Sequence, residues 1–120
     1  MASAIKADST IKILEDENIS GVYYSKIMDI QRIEDFSLFL SWTGSGFLAE
    51  LSVEGSNDLG HDTVKKFGTI NRSKIELKQD EGTHLYTVSQ ASYRFIRLKI
   101  DTTLGNAVFN IHLNNRSGRI

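Results

Sequence analysis

Apolar positions recur at every second residue over much of this chain. Between 36 and 42, Phe36, Leu38, Leu40 and Trp42 share one phase, while Ser37, Phe39 and Ser41 take the other. Between 47 and 55, Phe47, Ala49, Leu51 and Val53 alternate with Leu48, Glu50, Ser52 and Glu54. In 93–100, Ile96, Leu98 and Ile100 lie opposite Tyr93, Phe95, Arg97 and Lys99. In 107–113, Ala107, Phe109, Ile111 and Leu113 point inward, and Val108, Asn110 and His112 point outward. Successive side chains of a strand face opposite ways, so each run makes one buried and one wetter face. TGSG (43–46) reads as a short hairpin loop between the first two runs. TTLGN (102–106) reads as a Gly-bearing bend between the last two.

The remaining segments are shorter. Residues 1–9 are small and polar and read as a mobile arm. TIKIL (10–14) is β-prone, and EDEN (15–18) reads as a turn. In 22–33, Val22, Tyr23 and Tyr24 favour a strand, whereas Ile27, Ile30 and Ile33 also fit a helical spacing. The stretch is short and flanked by strands, so it is read as mostly strand. Val64–Ile70, Ser73–Lys78 and Leu85–Val88 are further β-prone pieces. The sum is about eight strands at the spacing of a sandwich or barrel. The expected fold is all-β: a single antiparallel β-sandwich or jelly roll over 10–114, with an arm (1–9) and a short tail (115–120).

Composition narrows the function classes. A chain of 120 residues suits one domain that needs no covalent staple. Cys is absent, so there is neither a disulfide nor a thiolate metal site. With 14 basic and 15 acidic residues, the chain lacks the basic footprint of a nucleic-acid binder. No run approaches the length of a membrane-spanning helix. The opening MASAIKADST has no basic-then-apolar pattern, so no signal peptide is expected.

Five groups of residues are of types that could carry chemistry. His61, His84 and His112 lie in no nucleophile motif, and His112 falls on an outward strand position. SNDLGHD (56–62) gathers Asn57, Asp58, His61 and Asp62, which suit Ca²⁺ or Zn²⁺ by type but match neither an EF-hand nor H-E-x-x-H. The same residues make a polar turn, the preferred reading. Glu50 and Glu54 share a strand face and read as solvated edge protection, not as a glycosidase pair. Lys65–Lys66 and Arg116–Arg119 are small basic clusters, and Tyr93, Phe95 and Arg97 could form a stacking platform. Sugar binding would use exposed aromatics: Tyr23, Tyr24 and Phe39. Trp42 keeps phase with Leu38 and Leu40 and is assigned to the core, whereas Phe39 is out of phase and marks a contact surface.

The segment FSLFLSWTGSGFLAELSVEGSND (36–58) and the later YRFIRLKIDTTLGNAVFNIHLN (93–114) resemble a small β-sandwich module of phage virion proteins and phage-derived fibre proteins. The resembling elements are Trp42–Thr43–Gly44, Ser56–Asn57–Asp58, Tyr93 to Arg97 and Thr102 to Gly105. YRFIRL is also similar to the penultimate strand of discoidin-like sandwiches. Where such modules place a Trp after the Ser-Asn-Asp turn, this chain has Val64 and Phe67. The resemblance implies a non-enzymatic structural protein of a phage particle: a decoration, vertex or fibre component. It implies a homo-oligomer, trimer or pentamer, located in the virion after assembly in the host cytoplasm. Expected partners are other virion proteins and a surface glycan, with no nucleic acid, membrane, cofactor or metal. The alternative is a carbohydrate-binding or adhesion module. The expected assembly surface is Ile11, Ile13, Tyr23, Tyr24 and Phe39, with TIKIL adding to a neighbour's sheet.

Overall fold

The structure is a computed structural model that describes residues 10–30, 33–57, 67–78, 80–89 and 93–115. It is all-β and antiparallel. Eight strands follow in order: β1 (Thr10–Ile19), β2 (Val22–Tyr24), β3 (Met28–Asp29), β4 (Phe36–Ser56), β5 (Gly68–Thr69), β6 (Ile75–Leu77), β7 (Glu81–Val88) and β8 (Phe95–Asn115).

β4 and β8 are the frame. Each has 21 residues, and they pair with one another from Phe36↔Asn115 to Ser56↔Phe95. A straight strand of that length would span roughly 70 Å at about 3.3 Å per residue. The longest dimension of the molecule is 45 Å. Both strands therefore bend, and the sheet folds over on itself into a sandwich. The first layer runs β1, the end of β8, the start of β4, then β7. The second holds β2 and β3 beside the start of β8, and β5 and β6 beside the end of β4.

The bend replaces the two loops expected from the sequence. Neither TGSG nor TTLGN leaves its strand. Register shifts fall between Ser45 and Leu48 and between Leu48 and Ala49. The first inserts an extra residue into β4 and the second inserts one into β8, so the register is restored beyond the corner. Each bulge also swaps which residues face inward. Core positions on β4 change from Phe36, Leu38 and Leu40 to Ala49, Leu51 and Val53. That phase slip is what resembled a turn. Gly105 has φ 69°, and a Cβ there would lie 2.6 Å from the Ser45 carbonyl oxygen. Asp80 closes the corner by accepting the Gly46 N–H at 2.8 Å.

EDEN is likewise no free turn. It lies inside β1, where the register shifts between Leu14 and Glu17 and Asp16 has φ 50°. Residues 22–33 split into β2 and β3 with Ser25 between them. Its hydroxyl oxygen accepts the Leu98 N–H at 2.8 Å, filling the gap along β8. Asn71 does the same along β4, accepting the Val53 N–H at 2.8 Å.

One hydrophobic cluster joins both layers. Trp42 stacks on Phe109 with centroids 5.8 Å apart, and Phe47, beyond the corner, meets the edge of the same ring at 5.6 Å.

Candidate recognition face

The sandwich has two outer faces of opposite chemistry. On the second layer charge predominates: Glu76, Glu50 and Asp101 lie in one row across β6, β4 and β8, and the arginines beside them are paired. Arg97 Nε donates to Glu54 Oε1 at 2.8 Å, and the pair is nearly buried. The Arg97 guanidinium carbon lies 4.5 Å from the Tyr24 ring centroid and 4.4 Å from that of Phe67. The cation is thus sandwiched between two π faces. Alongside, Arg94 meets Asp29 at 3.4 Å and covers the Phe95 ring. Glu54 is accordingly no solvated edge charge, in contrast to the sequence-based expectation. Nor do Tyr93, Phe95 and Arg97 make a free platform. Tyr93 packs against the core, and Arg97 is already enclosed.

The outer face of the first layer is built differently. Strand register sets its side chains in rows. Lys12, His112, Phe39 and Leu85 form one row across β1, β8, β4 and β7. On one side lie Asn114, Ser37 and Thr87; on the other lie Asn110, Ser41 and Thr83. Hydroxyls and amides dominate. Among them, Leu85 is 60% exposed, and Phe39 and Val108 are 38% exposed.

A shallow concavity of about 510 Å³ opens on this face, with Asp16, Ser41, Thr43, Glu81, Thr83, Val108 and Asn110 in its lining. Asp16 and Asn110 fix each other's positions. The Asp16 N–H donates to Asn110 Oδ1 at 3.1 Å, and Asn110 Nδ2 donates to Asp16 Oδ1 at 3.2 Å. The bulge in β1 is what turns Asp16 toward β8. The site therefore offers two carboxylates at its ends, hydroxyls along its floor and an apolar row beside it.

The five residues expected to form one assembly surface fall in three places. Phe39 lies on the outer face of the first layer. Tyr24 lies on the charged face, against Arg97. Ile13 is buried in this chain's own core, with Ile11 and Tyr23 packed against it. β1 pairs with β8 of the same chain along one side and, among the described residues, is an edge strand of the sheet. Burial, then the charge of Glu17, raises the Tyr23 phenol above its ordinary value. Asn57 accepts the Arg94 N–H at 2.8 Å, consistent with a turn. Asp58, His61, Asp62, Lys65, Lys66, Arg116 and Arg119 lie outside the described residues. Among the described residues, no three acidic or His side chains are placed to hold a metal.

Sequence reasoning missed Leu85, Asp16 and Glu81. Leu85 was legible in Thr83-x-Leu85-x-Thr87, where the polar phase carries an apolar residue. Asp16 was not, because only the bulge brings it to Asn110.

No protein-family model matches the sequence, and no curated protein is similar to it. Among solved structures, the chain is similar to the crystal structure of PirA, with TM-score 0.48 and 11% identity over 90% of this chain and 93% of that one. It is also similar to a structure solved in work on CBM4 structure and function, with TM-score 0.49 and 10% identity over 92% of this chain and 76% of that one. At that distance no ligand or activity is carried across.

Proposed function

We propose that this chain is a non-catalytic contact protein, a structural component of a phage particle or phage-derived fibre that works as a homo-oligomer against other virion proteins. The supporting observation is the contrast between its outer faces. One is charged, with Arg94 and Arg97 paired and Glu50, Glu76 and Asp101 in one row. The other leaves Phe39, Leu85 and Val108 exposed among hydroxyls and amides, with Lys12, Asp16 and Glu81 on its two edge strands. Apolar anchors ringed by polar groups are the anatomy of a contact surface. The pattern of 36–58 and 93–114, which resembles phage modules, sets the context. Sedimentation and light scattering of the purified protein test it, with an oligomer expected. A monomer at every concentration, with no adhesion to purified phage heads, tails or fibres, overturns it.

The concavity favours a second reading, a neutral glycan. Asp16, Asn110, Ser41 and Thr83 offer the donors and acceptors that sugar hydroxyls require, and Phe39 lies one row away. The carboxylates of Asp16 and Glu81 would repel an acidic sugar. A glycan array tests this reading, with neutral oligosaccharides retained and Asn110→Ala losing them. An array with no hits removes it.

A further inference from the structure

We propose that β7 is a homophilic edge: two copies of this chain pair antiparallel about a two-fold axis through Leu85. The inference rests on the oligomeric reading above and names its interface.

The sheet's other edges are blunted. β2, β3, β5 and β6 are only two or three residues long. Ser25 and Asn71 side chains occupy the backbone positions between them. β1 is longer but broken by two register shifts, and it exposes Lys12, Glu15, Asp16 and Glu17. Short strands, bulges and charge are the devices that stop sheets from joining. β7 has only one of them, a charge at its first residue, Glu81. Its eight residues pair with β4 without a shift. From Gly82 to Val88 it carries no Asp, Glu, Lys, Arg or Pro. Among the described residues it pairs with β4 alone.

The occupant follows from self-complementarity. Placing Leu85 opposite Leu85 of a second copy sets Thr83 against Thr87, and His84 against Tyr86. Every outward residue then meets an outward one, and every inward residue an inward one. A slip of one residue would oppose the two faces. Charge is compatible as well. Glu81 falls opposite Ser89 of the second copy, so the two carboxylates sit at opposite ends. Leu85 is the most exposed large apolar side chain among the described residues. Its neighbour on β4 is Phe39. Pairing joins two Leu85 and two Phe39 into one apolar strip across the axis. Eight residues a side is well below the roughly 20–30 of a standard interface, so the contact is weak and concentration-dependent.

Sedimentation equilibrium of the full chain should show a monomer–dimer equilibrium. Leu85→Lys and Leu85→Glu should each be monomeric, with unchanged circular dichroism because the site is exposed. Mixing the two variants should restore the dimer. Leu85→Cys should cross-link on oxidation, as the chain has no other Cys, and His84→Cys should not. A parent mass of one chain at every concentration overturns both this interface and the oligomeric reading. A trimer or pentamer that survives Leu85→Lys overturns the β7 interface alone.

Discussion

Arg97 shows how much a single residue depends on distant partners. Its outward phase on β8 predicts exposure, yet it is 6% exposed. Tyr24 and Phe67, remote in sequence, close over it, and Glu54 neutralises it. Removing one member of a nearly buried ion pair strands the other charge. Arg97→Ala should therefore lower the unfolding free energy by about 3 kcal/mol, read from urea titrations. Arg97→Lys should recover only part, because an ammonium keeps the charge but loses the planar stack. A loss below about 1 kcal/mol for the Ala variant would show the clamp to be a surface ornament. Tyrosines give a second residue-scale prediction. Burial, then Tyr93, holds the Tyr86 phenol above its ordinary 10.0. The unfolded chain releases that proton first as pH rises. Stability present below this value is thus lost as pH climbs from it through the folded one. The urea midpoint should hold at pH 8 and fall as pH rises above about 10, and Tyr86→Phe should narrow the fall. Phe39 was legible from phase alone. Arg97 was not, because alternation assigns a face and says nothing of what covers it.

The corner governs the elements. β4 and β8 each cross it in one piece, so the layers are joined through strands and not only through packing. Gly44 and Gly105 make this possible. A Cβ on Gly44 would collide with the Asn106 carbonyl oxygen and lie 2.8 Å from Ala107 Cβ. Gly105 adds a left-handed φ that other residues adopt only with strain. Gly44→Ala and Gly105→Ala should each cost about 1–3 kcal/mol by chemical denaturation. Gly68→Ala meets open space at an ordinary φ and should be neutral or stabilising by up to about 1 kcal/mol. Equal effects at all three would remove the corner from its governing role. The sequence showed these glycines lying between apolar runs. It did not show that both strands continue through them, since a paired bulge and a loop interrupt alternation in the same way.

For the whole molecule, the decisive property is the inequality of its outer faces. Phe39 contributes little to the core, so Phe39→Ala should shift stability by about 1 kcal/mol or less. The same variant should weaken self-association and any glycan retention. If it unfolds the protein instead, Phe39 is a packing residue and the recognition face loses its apolar anchor. Tyr24, exposed to a similar degree on the opposite face, serves as the control. Its removal should loosen Arg97 while leaving association unchanged.

Alternation of apolar side chains is a local property, fixed by the two-residue repeat of the strand. From it the sequence alone determined an all-β chain, the inward faces of its long strands, the burial of Trp42 and the outward setting of Phe39. Pairing is not local. Which strand lies beside which, how the sheet turns its corner, and which outward residues become neighbours depend on contacts between residues as far apart as Lys12 and His112. Only the tertiary structure could gather hydroxyls, amides and apolar anchors onto one face, and hide Arg97 on the other.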